Sequence, residues 1–285
     1  MTAKNWGGWA SPASIEAMPG ASSLLNTAAV DGCSSLSHDG LELYFTSSRA
    51  GSMAVDIWVA RRSSTAEGFG TPENLGAPVN SPAVEFCPTI RPGKRLYFSS
   101  TRHDGAGDIY VSRLGKDGWS TPQNLGPNIN SPSVEESPSF YEDEEGREVM
   151  VFSSRRSGRG QIYQSVDGGP AQLVAGGVNS SAADQRPGVR KDGLEIFWDS
   201  TRAGGLGNSD LYTATRSSTS EPWGTAVHLQ SLSSAGPDGA GFTPGYDARP
   251  FLSHDGSMLL FGSVRAGGEG VADAYYTTRQ KITGQ

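Results

Sequence analysis

Cysteine is nearly absent: only Cys33 and Cys87 occur in 285 residues, so their count defines no disulfide framework and leaves the redox compartment open. Histidine is scarce too, with four residues, and those four do not gather into one motif, which argues against a three-histidine metal site and a Ser-His-Asp arrangement. No stretch approaches eighteen consecutive apolar residues, which excludes a spanning helix. The first thirty residues hold no apolar run of seven, so no signal peptide is read. As written the chain is expected to be cytoplasmic, and periplasmic or secreted only if a leader has been removed. Basic residues are the minority, 23 Lys plus Arg against 30 Asp plus Glu for a net charge of −7. That balance argues against a phosphate-binding face, so neither a nucleic acid nor a membrane is an expected partner.

What the chain has in abundance is punctuation, 38 Gly and 17 Pro. So many breakers preclude long helices and predict short strands joined by turns. The strands repeat. LYFTSSR ends at Arg49, LYFSSTR at Arg102, VMVFSSRR at Arg156, IFWDSTR at Arg202 and LLFGSVR at Arg265, at intervals of 53, 54, 46 and 63 residues. Each copy runs on into a second apolar phrase such as DIWVARR from Asp56 or DIYVSR from Asp108, then a third such as WSTPQNLG from Trp119. A segment like EFCPTIR from Glu85 precedes each copy. Four half-apolar strands per unit, five units and a period near fifty residues predict an all-β, five-bladed β-propeller. The blade cores are expected at 31–80, 85–130, 135–179, 184–230 and 247–279, forming one domain over 1–285. The fifth copy lacks its outer strand, and residues 9–15 have the Trp, Pro and Ile spacing of the third phrase. They are therefore expected to close the ring within the last blade.

These phrases resemble the TolB-type propeller repeats: an acidic residue, a Ser-rich strand, an Asp-Gly turn, an LYF strand, Ser-x-Arg, a Gly-rich turn and a DIY strand. The pairs Asn80–Ser81, Asn130–Ser131 and Asn179–Ser180 fit the variant attached to bacterial envelope proteins. The resemblance implies the fold and leaves function open, since such propellers serve as interaction platforms, lyases and peptidase gates.

Aligned on the first strand of each blade, Asp31, Glu85, Glu135, Asp184 and Asp247 place one carboxylate at each entrance to the central channel. They are candidate acid–base groups; crowding and partial burial are expected to raise the pKa of at least one of Glu85 and Glu135, whose blades carry no arginine two residues on, and make it the better proton donor. Five carboxylates around a narrow mouth need compensation, and a divalent cation there is one means; no other cofactor is expected and no metal cluster is read. Two residues on, the copies have Cys33, Cys87, Ser137, Arg186 and Arg249. The two arginines are expected to offset the acidic ring and grip an anion; the two cysteines and Ser137 are small residues lining the mouth. Leu36, Ile90, Phe140, Val189 and Leu252 mark the face packed between blades. Trp198 and Asp199 break the repeat, and Asp199 joins the ligand-binding candidates. The repeated Arg49, Arg102, Arg156, Arg202 and Arg265 are expected to bridge blade turns or pair with the Asp that opens the DIY strand. His38 and His254 fall in the Asp-Gly hairpins at the opposite end of the first strand. The insertion Ser231–Gly245 is a candidate lid or a plain surface loop.

Two functions fit. One is a pocket at the channel mouth that binds a small polar anionic or sugar-like molecule and transforms it by carboxylate chemistry, as a hydrolase, lyase or cyclase. The other is a non-catalytic platform for a protein partner.

Overall fold

The computed structural model describes residues 6–103, 105–235 and 246–282. Five four-stranded antiparallel sheets follow one another along the chain. From the channel outward, blade one is Asp31–Leu36, Glu42–Ser47, Asp56–Arg61 and Glu73–Asn74. Blade two is Glu85–Arg91, Arg95–Ser100, Asp108–Gly115 and Gln123–Asn124, with a small hairpin strand Gly118–Trp119. Blade three is Glu135–Glu142, Glu148–Ser154, Gln161–Val166 and Gln172–Leu173. Blade four is Asp184–Val189, Glu195–Ser200, Asp210–Thr215 and Val227–His228. Blade five is Asp247–Leu252, Met258–Ser263 and Asp273–Thr278. Its outer strand is Ala13–Ser14, with Ala13 paired to Tyr276 and Ser14 to Tyr275.

The ring therefore closes with three strands from the C-terminal end and one from the N-terminal end. Regular pairing is narrower than the expected 9–15, because Ile15 already begins a 3₁₀ turn, Ile15–Ala17. The remaining contact comes from the backbone bonds Gly7 N–H to Gln280 O and Ala10 N–H to Thr278 O. Trp6 and Trp9 add to it by enclosing the Arg279 guanidinium, 4.5 and 4.4 Å from its centre. Arg279 also makes a bidentate ion pair with buried Glu195 of blade four. The candidate lid has its described part only at 231–235; from residue 236 it lies outside the described residues, as does the glycine-rich run 239–245.

The β-branched and aromatic residues of the repeat alternate across each sheet, so every blade has two apolar faces and buries both against its neighbours. The hydrophobic core is accordingly split into five clusters, each spanning two blades. Tyr44, Ile57 and Val59 of blade one meet Leu96, Phe98 and Tyr110 of blade two. Tyr97 and Ile109 of blade two meet Phe140, Met150 and Phe152 of blade three. Blades three and four, four and five, and five and one repeat the arrangement. The expected interblade residues Leu36, Phe140, Val189 and Leu252 are buried in these clusters and Ile90 packs against one. Truncating a fully buried ring such as Phe98 or Phe152 would cost about 3–5 kcal/mol through lost transfer energy and a residual cavity.

Candidate functional site: the central channel

The five entrance carboxylates are fully buried, each at 0% exposure. Their partners come from their own repeat. Glu85 accepts from the Ser81 N–H (2.8 Å) and hydroxyl (2.7 Å), from the Ser100 hydroxyl (2.7 Å) and from Arg102 (3.1 Å). Glu135 has Ser131, Ser154 and Arg156 in the same roles. Asp31 has Thr27, Ser47 and Arg49. Asp184 has Ser180, Arg202 and, in place of the strand hydroxyl, the Trp198 indole N–H at 3.1 Å. Asp247 has Ser234 and Arg265. Three or four donors on each carboxylate meet the cost of burying it.

This corrects two expectations. The charge of the acidic ring is offset blade by blade by Arg49, Arg102, Arg156, Arg202 and Arg265, and not by Arg186 and Arg249. Of the two roles expected for those five arginines, bridging blade turns holds, through loop carbonyls such as Leu25 O, Val79 O and Leu232 O, whereas no pairing with the Asp that opens the DIY strand is found among the described residues. Each stacks on the Phe or Trp of its own second strand, as Arg102 does on Phe98 at 5.3 Å. The Asn of the Asn-Ser pairs has a structural part as well: Asn80 bridges the N–H and C=O of Ile57, and Asn130 those of Ile109.

Two residues beyond each carboxylate the inner strand bulges, and the register with the second strand shifts in all five blades. At the bulge Cys33, Cys87, Ser137, Arg186 and Arg249 take left-handed backbone conformations, with φ of 49°, 50°, 58°, 51° and 61°. None is glycine, although the left-handed region costs an L-residue about 1–2 kcal/mol. The bulge turns these five side chains onto one central cavity of about 20 Å³, room for little more than one water. It also turns four of the five backbone N–H groups onto a side chain of the preceding blade. Cys87 N–H bonds Thr46 Oγ1 (2.9 Å), Ser137 N–H bonds Ser99 Oγ (3.3 Å), Arg186 N–H bonds Ser153 Oγ, and Arg249 N–H bonds Asp199 Oδ1 (3.0 Å).

Cys33 and Cys87 are not separate small residues lining the mouth, as expected, but a disulfide with Cα atoms 4.8 Å apart. Equivalent positions on neighbouring blades come that close because the inner strands converge on the axis.

On the far side of the ring, Asp199 stands where blades one to three have the stitching hydroxyl and blade five has Gly262. Its carboxylate accepts from Arg186 Nε (2.8 Å) and Nη2 (2.5 Å), from the Arg249 N–H, and from the Ser209 hydroxyl (3.2 Å). Arg186 does not pair with Asp184. Its second carboxylate neighbour is Glu136, 3.8 Å away, and Tyr246 lies over its guanidinium at 5.4 Å. Burial opposes the charge on Arg186, but Asp199, Tyr246 and Glu136 outweigh it and hold its pKa well above the ordinary arginine value.

Arg249 differs. Its guanidinium has no ion pair or hydrogen bond among the described residues, and its Nε is buried without a partner. Glu136 and Gln185, one residue before the bulge, touch each other at 3.4 Å, and Glu136 is the carboxylate that reaches Arg186. Sequence reasoning passed over them, although the position reads Gly32, Phe86, Glu136, Gln185 and Ala248 and so breaks the repeat as clearly as Asp199 does.

No protein-family model and no curated protein matches the chain. Solved structures do match its fold. A thermostable family-43 glycoside hydrolase superposes with a TM-score of 0.55 at 13% identity over 93% of both chains. The catalytic domain of the Coprinopsis cinerea GH62 α-L-arabinofuranosidase gives 0.55 at 12% over 98% of both. A TolB-assigned protein of Agrobacterium tumefaciens gives 0.52 at 15% over 90% of this chain and 91% of that one. At such identities the likeness establishes the five-bladed propeller and nothing finer.

Proposed function

We propose that this propeller binds the anionic group of a small polar molecule, of the sugar-acid class, at the central channel, with Arg249 as the anchoring cation. The observation that carries the reading is the Arg249 guanidinium: partnerless among the described residues, with a buried Nε, beside a pair, Arg186–Asp199, that is already complete. A planar cation in that state is completed by a carboxylate, which it can hold bidentately. The glycoside hydrolases among the structures of the same fold support a sugar-like ligand.

Binding is favoured over turnover. Hydrolysis of a glycoside needs two carboxyl groups free to act, one as proton donor. The entrance carboxylates are engaged by their own blades, and Glu136 and Asp199 share Arg186. Titration calorimetry with glucuronate, galacturonate and their neutral parent sugars tests this. The acids are expected to bind and the neutral sugars not to, and Arg249→Ala is expected to weaken the acids by about 1.5–3 kcal/mol with the fold intact. If the variant binds every acid as the parent does, the channel is structural, and the platform reading, with a macromolecular partner found by pull-down, takes its place.

A further inference from the structure

At the other end of the channel the inner strands run into their hairpins, and a second hollow of about 100 Å³ opens there. Its floor is apolar, made by residues that include Leu36, Phe140, Val189 and Leu252; its rim carries His38, Arg91, Lys191 and His254 from four blades. The His38 and His254 rings lie 3.6 Å apart between centroids, and Lys191 Nζ is 3.4 Å from His254 Nε2. Three groups that are cationic or protonatable thus converge on a chain whose net charge is −7.

The neighbouring acids do not answer them. Asp39 is held by the Ser37 hydroxyl (2.6 Å) and the Leu41 N–H (3.1 Å), and Asp255 by Ser253 (2.6 Å) and Ser257 (2.7 Å). Glu148 pairs with Arg91 (2.6 Å) and Arg95 (3.3 Å). Arg62, next to His38 in the adjoining hollow, bonds only carbonyl oxygens. Lys191, His38 and His254 have no carboxylate within ion-pair distance among the described residues. A metal ion is disfavoured, because Lys191 stands at the His254 nitrogen that would ligate it and no third ligand is near among the described residues.

We infer that this hollow is a site for a tetrahedral oxyanion, free or as the sulfate or phosphate ester of a larger molecule, held by Lys191, His254 and His38. Its size suits one such group, and the charge it lacks is negative. Burial first, then His38 and Lys191, push the His254 pKa below the ordinary histidine value, against the pull of Asp255 and with a small further push from Arg91. An anion reverses that balance, so it binds together with a proton and more tightly as the pH falls.

Inorganic sulfate is the probe, because its charge is constant between about pH 5 and 8, and an aryl sulfate ester separates free from esterified ligand. Calorimetry is expected to find a sulfate site whose binding is about tenfold tighter at the acid end of that range. Lys191→Met is expected to lose about tenfold in affinity at both ends, and His254→Gln to bind with a weaker pH dependence than the parent. Arg249→Ala is expected to bind sulfate here as the parent does, which keeps this inference separate from the reading of the other end of the channel. Equal binding by Lys191→Met means an adventitious ion only and overturns the assignment. So does binding that is pH-independent in the parent.

Discussion

Where blades one and two meet, the left-handed positions of the inner strands hold a disulfide; where blades four and five meet, the same positions hold two arginines. The backbone is alike in the two places: the φ values lie between 49° and 61° at all four residues and the bulge falls at the same register. The chemistry is opposite. At the first junction the side chains satisfy one another covalently and face the axis with nothing to offer a ligand. At the second, Arg186 is satisfied by Asp199, and Arg249 has no partner among the described residues. The repeat therefore fixes a shared geometry, and each junction uses it either for cohesion or for recognition.

The comparison breaks most sharply at Asp199. Asp199→Ala leaves Arg186 buried with the more distant Glu136 as its carboxylate neighbour, and should cost about 3–5 kcal/mol in urea denaturation, as removing one partner of a buried ion pair does. Replacing both residues, Arg186→Ser with Asp199→Ser, gives blade four the residues of blade three, Ser137 and Ser153, and should bring stability back to within about 1 kcal/mol of the parent. A double variant as unstable as Asp199→Ala would mean that the ion pair supports the ring in some way the hydroxyls do not. Cys33→Ser with Cys87→Ser should lower stability by about 2–4 kcal/mol, since the disulfide closes a separation of 54 residues. Its effect on ligand binding at the arginine junction should be small; a large one would mean that the two junctions are coupled. The smallest effect is expected from Arg249→Gly, which removes an unpaired guanidinium and relieves a left-handed non-glycine residue. Stability should stay level or rise by up to about 1 kcal/mol while binding of the sugar acids at the central channel weakens.

The five blades were legible because the repeated phrases carry the strand pattern in themselves, down to the register that aligned Cys33 with Arg249. The disulfide was not. A sequence alignment says that Cys33 and Cys87 are equivalent and neighbouring, but only the radius of the channel says how close equivalent points come. The role of the entrance carboxylates was half legible. Each arginine follows its carboxylate by a nearly constant 18, 17, 21, 18 and 18 residues, a spacing that signals an internal partner, yet the acidic ring was read as five groups facing one another. Glu136 was missed for a different reason. It breaks the repeat one residue before the bulge, on the blade next to Arg186, and only the packing of the two blades brings its carboxylate to that guanidinium.

The disulfide also has a mechanical consequence. Pulled by its two ends, the ring would first lose the short pairing of Ala13–Ser14 with Tyr275 and Tyr276, and the blades would then unravel in turn. The span between Cys33 and Cys87 would stay locked, withholding about 190 Å of contour length from 54 residues at roughly 3.5 Å each until a reductant is added. Under tension, then, the molecule is an extensible ribbon with one inextensible blade, and the first blade would be the last to yield.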